Sequence, residues 1–151
     1  MDDILSLLQD FDVAKFLPAP ESFVRDLELW MRIAVMVGPL VMLGLGLWYY
    51  LAPPKEANHS AGFRTYWGMG SVEAWQFTQR LAGMLYSILG TGLTVIMSLI
   101  CNGFRAMNAM TMANVAIICV IVECVLILAT WAYINIKVNK TFDKDGNRIK
   151  K

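Results

Sequence analysis

Glu123 stands at the middle of an apolar run, residues 113–134, that is long enough to cross a bilayer. A carboxyl group at that depth suits few tasks: binding a proton or cation, anchoring a bound peptide, or, in its protonated form, hydrogen-bonding a hydroxyl of a neighbouring helix. No basic residue occupies a comparable depth in any apolar run of the chain, which argues against an ion pair and tilts the reading towards the structural role. Arg64 is the second candidate. It is flanked by Phe63, Tyr66 and Trp67 just outside an apolar run, where a guanidinium either grips a lipid phosphate or a ligand carboxylate, or merely snorkels to fix helix depth. His59 stands alone, so neither a metal site nor a catalytic dyad can be assembled around it. Cys101, Cys119 and Cys124 form no C-x-x-C pair and read as small apolar residues, with neither a disulfide nor a metal expected. No nucleophile and base pair, metal cluster or phosphate cradle is legible, so no cofactor and no enzymatic activity are expected.

The elements that must position these groups are three apolar runs, 33–52, 81–101 and 113–134. With 57% hydrophobic and only 17% charged residues, and the apolar residues gathered into those runs, the chain reads as an all-α integral membrane bundle of three transmembrane helices. The expected division is an acidic N-terminal tail, 1–29, a membrane domain, 30–137, and a basic cytoplasmic tail, 138–151. Residues 1–28 are acidic and interrupted by Pro18 and Pro20, unlike a cleavable signal, so the first run is expected to act as its own insertion signal. Within 1–18, Ile4, Leu7, Leu8 and Phe11 follow helical spacing away from the aspartates. That segment is either an amphipathic helix lying on the outer surface or an acidic, partly ordered tail.

Three spans put the N-terminal tail and the second loop on one side, with four Lys or Arg residues, and the first loop and C-terminal tail on the other, with nine. The positive-inside rule then predicts a plasma-membrane protein with its N-terminus outside and its C-terminus cytoplasmic. The six positive residues from Lys137 to Lys151 are expected to contact anionic lipid, not nucleic acid. Asp143-Lys144-Asp145-Gly146-Asn147 lacks the spacing of a calcium loop and reads as a turn bent at Asp-Gly.

Inside the bundle, Gly38-Pro39 predicts a kink in the first span, and Trp48-Tyr49-Tyr50 marks its headgroup level. Gly83, Ser87, Gly90, Thr91, Thr94 and Ser98 share one face of the second span, and Ala116, Cys119, Glu123 and Thr130 one face of the third. These two faces are expected to pack together, since small and hydroxylated residues allow close approach in lipid.

The loop between the first two spans is expected to lie at the interface as a loop or short helix. Gly62, Gly68 and Gly70 permit tight turns, Ser71 is a candidate N-cap, and Glu73 complements the dipole of the helix that enters the second span. Gly62-Phe63-Arg64-Thr65, Met69-Gly70-Ser71, Glu73-Ala74-Trp75 and Gln79-Arg80-Leu81-Ala82-Gly83 resemble, in order and spacing, the signature of the SdpI family of small bacterial membrane proteins. Phe142 to Arg148 also resembles the charged tail of small members, whereas the long acidic N-terminal tail departs from the family. The resemblance implies a toxin-immunity protein, with Gly62, Phe63, Arg64, Thr65, Ser71, Glu73, Trp75, Gln79 and Arg80 as its signature. Together with Glu123, these are the expected ligand or partner contacts. Besides the bilayer, the partners left open are a membrane-acting peptide toxin, a soluble regulator recruited to the membrane, other membrane subunits, and a second copy of the chain.

Overall fold

In the computed structural model, residues 20–57 and 61–149 are described, with side chains from 22 onward. The expected N-terminal amphipathic helix lies outside the described residues. Three long helices follow one another: α1, Pro20–Leu51; α2, Val72–Asn102; and α3, Ala109–Asn139, with short 3-10 turns at Trp67–Met69 and Gly103–Ala106. All three are long and apolar enough to cross a membrane. Helices α2 and α3 begin before their apolar runs, each with a side-chain cap at its N-terminus. Ser71 Oγ accepts from the Ala74 amide at 3.1 Å, with Glu73 in the first turn of α2. Asn108 Oδ1 caps α3 by accepting from Thr111 at 2.8 Å. The Pro53-Pro54 pair follows the end of α1 and stops it. Helical assignment continues unbroken through Pro39.

Helices α1 and α2 form an antiparallel pair with the largest interface in the molecule. Gly83 lies against the backbone of Tyr49 and Tyr50, Gly46 against the backbone of Tyr86 and Ser87, and Gly90 against that of Leu43. Farther along, Ser98 Oγ is 3.8 Å from Met36 Sδ. The small-residue face of α2 therefore packs on α1, and the expectation that it meets α3 is corrected. The reason is steric: α1 offers Gly46 to match Gly83 and Gly90, whereas α3 has no glycine along its whole length. Of that face, Thr91 and Ser98 remain exposed, and the Thr94 hydroxyl turns back to the Gly90 carbonyl at 2.7 Å.

Helix α3 closes the bundle with the face identified from its spacing. Met112, Ala116, Cys119, Glu123, Thr130 and Ile134 are buried, while Ile117, Ile118, Ile121, Val125 and Leu128 point outward, as lipid-facing residues do. On α1 the inward residues Val35, Met42 and Tyr49 recur every seven residues, the spacing that keeps one seam facing its partner helices.

A Cβ added at Gly90 would stand 2.5 Å from the Leu43 nitrogen and 2.7 Å from its Cα, with backbone that cannot step aside. Gly90→Ala is expected to destabilise the bundle by roughly 1–3 kcal/mol. Gly92→Ala, where nothing lies within 4 Å, is expected to be neutral. Melting temperatures of the two variants in one mild detergent check this.

Candidate functional site

The loop between α1 and α2 is tied down by its own signature residues. Gly62 adopts a φ of 107°, open to glycine and strained for other residues, and its Cα faces the indole of Trp75 so closely that a Cβ would meet the ring at 2.7 Å. Trp75 Nε1 donates to the Pro54 carbonyl at 2.8 Å, which pins the end of α1 to the start of α2. Gln79 then holds the next residue at both backbone groups: its Oε1 accepts from the Phe63 amide at 2.8 Å and its Nε2 donates to the Phe63 carbonyl at 2.7 Å. All the atoms of this clamp are buried, so each bond satisfies a group that would otherwise be stranded. The Phe63 ring packs edge-on against Tyr86 at 5.7 Å. Thr65 Oγ1 accepts from the Gly68 amide at 2.9 Å and shapes the Trp67–Met69 turn, which rests on Thr78.

The C-terminal segment docks on the same structure. Asp143 Oδ1 accepts from the amides of Asp145 and Asn147, and Gly146 at φ 76° completes the expected turn. The turn is seated against the N-terminus of α2, where the Ser71 hydroxyl donates to the Gly146 carbonyl at 2.7 Å. Phe142, fully buried, meets Phe77 edge-on at 5.4 Å.

The signature thus separates into two groups. Gly62, Phe63, Thr65, Ser71, Trp75, Gln79 and Gly83 are consumed in building the loop and its junction with α1. Arg64, Glu73 and Arg80 are exposed and available to a ligand. Glu73 reaches Arg148 Nε at 3.7 Å, whereas Arg64 and Arg80 have no carboxylate partner among the described residues. The sequence reading missed Phe142, Gly146 and Arg148 as parts of this unit. A lone phenylalanine opening an otherwise polar, basic tail was the available signal that the tail is anchored.

Glu123 is set apart from the loop. It is 3% exposed, its Oε1 has no hydrogen-bond partner among the described residues, and its Oε2 lies against Gly38, where an added Cβ would come within 2.5 Å. The expected bond to a hydroxyl of the second helix is not formed, because α2 turns that face to α1 and the Thr94 and Thr130 hydroxyls bond carbonyls of their own helices. The Gly38-Pro39 pair explains the position: glycine leaves space for the carboxyl, and proline has no amide hydrogen for the Val35 carbonyl one turn earlier. Gly38 is six residues from Arg32, about 9 Å of helix. At that end Glu28 pairs with Arg32 at 2.6 Å and with Arg105 at 3.6 Å, so Glu123 sits nearer to a polar rim than the midpoint of its own run suggests. No three His, Cys, Asp or Glu side chains come together as metal ligands among the described residues.

A bundle of three apolar helices, with a hydrogen-bonded loop and an anchored tail gathered at one end, defines a small multi-pass membrane protein. The sequence profile of the SdpI/YfhL protein family matches residues 55–134, just over half of the chain, and the chain belongs to that family. Comparison with curated proteins and with solved structures gives no match. The matched stretch runs from the loop into α3; it contains the whole signature read at 62–83 and leaves out α1 and the tail, whose resemblance at 142–148 lies beyond it.

Gln79→Leu removes both clamp bonds and strands the two backbone groups of Phe63. Amide hydrogen exchange over residues 61–70 is expected to accelerate by about tenfold or more, from roughly 1–3 kcal/mol per unsatisfied group, while α3 stays protected. Glu123→Gln, nearly isosteric and uncharged, is expected to match the wild-type melting temperature. Glu123→Lys, which seats a longer cation against Gly38, is expected to prevent accumulation of the folded protein in detergent.

Proposed function

We propose that this protein protects its host against a membrane-acting peptide toxin or bacteriocin, by non-enzymatic binding or exclusion at the plasma membrane, with its N-terminus outside and its C-terminus in the cytoplasm. Family membership supports the class of function. The observation that carries the reading to particular residues is the exposure of Arg64 and Tyr66, the latter 77% exposed, on a loop whose other signature groups are committed to holding it in shape. A guanidinium and a phenol presented from a fixed backbone, on the cytoplasmic side in this orientation, make a recognition surface for a toxin segment that has penetrated the bilayer, because little entropy is lost when a partner engages them.

A second reading, signalling, rests on the same loop. With the charge bias placing it in the cytoplasm, toxin occupancy of the bundle would alter the 62–83 segment and recruit a soluble regulator to Arg64. The Ser/Thr face of α2 would otherwise offer a toxin or a further membrane subunit a docking surface. That face is covered by α1, so a partner within the membrane would have to use the outer face of α3 or the exposed Thr91 and Ser98.

Survival of a sensitive bacterium expressing the protein, challenged with the secreted peptides of the source strain, tests the proposal. Arg64 makes no ion pair among the described residues, so Arg64→Ala is expected to insert and fold normally and to lose protection. No protection by the wild type at normal membrane levels would overturn the immunity reading. Protection retained by Arg64→Ala would remove Arg64 from it.

A further inference from the structure

Beside the loop, a half-open cavity of about 420 Å3 lies where the end of α1, the start of α2 and the docked tail meet. Its polar lining comes from Arg80, Arg148, Glu73, Gln76 and Tyr50. Its floor is apolar and is built from Phe77, Leu81 and Met84, which follow one another on a single face of α2 at i, i+4 and i+7. Three facts fix what fits there. Arg80 immediately precedes the apolar run 81–101, which sets its guanidinium at headgroup level. The charges do not cancel: Glu73 is engaged by Arg148 at 3.7 Å, Arg148 also lies over the Phe142 ring at 6.0 Å, and Arg80 is left without a carboxylate among the described residues. From that cation Leu81 and Met84, the latter 44% exposed, continue along α2 into the hydrocarbon, whereas Phe77 lies about one turn on its aqueous side, against Phe142 of the tail.

We infer that this groove is a binding site for one anionic phospholipid, whose phosphate is held by Arg80 and Arg148 beside Phe77 and whose acyl chain lies along Leu81 and Met84. A pocket of this size accommodates a headgroup and the upper part of a chain. A free phosphate would use only the polar lining and leave the apolar floor uncovered. A peptide carboxylate would meet the same two guanidiniums, but the descent of Leu81 and Met84 into the bilayer favours a ligand already in the leaflet. Because Arg148 comes from the tail, the bound lipid bridges the tail to α2 and adds to the anchoring already provided by Phe142 and Ser71. The site is independent of the immunity and signalling readings.

The test is native mass spectrometry of the detergent-purified protein titrated with phosphatidylglycerol or with phosphatidylcholine of the same acyl chains. The expected result is retention of one phosphatidylglycerol per chain in preference to phosphatidylcholine. Arg80→Gln is expected to weaken that retention about tenfold, the worth of one lost charge-assisted contact, and Lys140→Gln, the same charge change on the same side outside the groove, to leave it unchanged. Arg80 makes no bond within the protein among the described residues, so Arg80→Gln is expected to keep the wild-type melting temperature and separate loss of lipid from loss of fold. Equal retention of the two lipids, or equal retention by Arg80→Gln and wild type, would overturn the site. So would displacement of the lipid by millimolar inorganic phosphate or by a short peptide with a free C-terminal carboxylate, since either would show that the acyl chain contributes nothing.

Discussion

Backbone contact between α1 and α2 is the constraint on which the rest of the molecule depends. Lipid tails are as apolar as the side chains they surround, so burial of leucine or isoleucine does not hold helices together within a bilayer, and close van der Waals approach must do so. Gly46, Gly83 and Gly90 provide that approach, each bringing a Cα against the main chain of the opposite helix. Where the two helices come together, Trp75 and Gln79 are carried to the height of the Pro54 carbonyl and of Phe63. The loop therefore inherits its shape from the helix pair beneath it.

Polar groups in the structure follow the same economy. Hydroxyls at Thr78, Thr94 and Thr130 bond carbonyls one turn back on their own helices, which satisfies them without requiring a partner helix. The loop's buried donors and acceptors are met by Gln79, Thr65 and Ser71. Two groups are exceptions among the described residues: the Ser87 hydroxyl, buried against Gly46, and Glu123, a buried carboxyl with an unpartnered oxygen beside Pro39 of α1. Buried groups of this kind carry a cost and are the natural places to look for function, since packing alone would favour an apolar residue there.

The two ends of the bundle differ in character. At one, Glu28, Arg32 and Arg105 form a small ionic cluster across α1 and the turn after α2. At the other, the loop and tail combine aromatic rings, guanidiniums without a carboxylate partner among the described residues, and an amphipathic groove. In the orientation proposed from the charge bias, the second end faces the cytoplasm, beside anionic headgroups. The groups proposed for recognition are thus gathered at one end of the bundle, where the helices hold them.

Composition and run length alone determined that the chain is a three-helix membrane protein, because the bilayer leaves an apolar segment of some twenty residues little alternative to a helix. Local rules also reached the Ser71 cap, the Asp-Gly turn and the inward face of α3, all set by neighbours within a few residues. Which helix meets which face was not legible, since periodicity says what shares a face and is silent on what lies opposite. The glycine stripe on α2 therefore found α1 instead of α3, and Glu123 found Gly38 instead of a hydroxyl. The division of the signature into loop-building and exposed residues, and the groove formed with Arg148, depended on contacts between positions up to 75 apart in the chain, as at Ser71 and Gly146. Pairings at such separations follow from three-dimensional packing, and only the tertiary structure decided them.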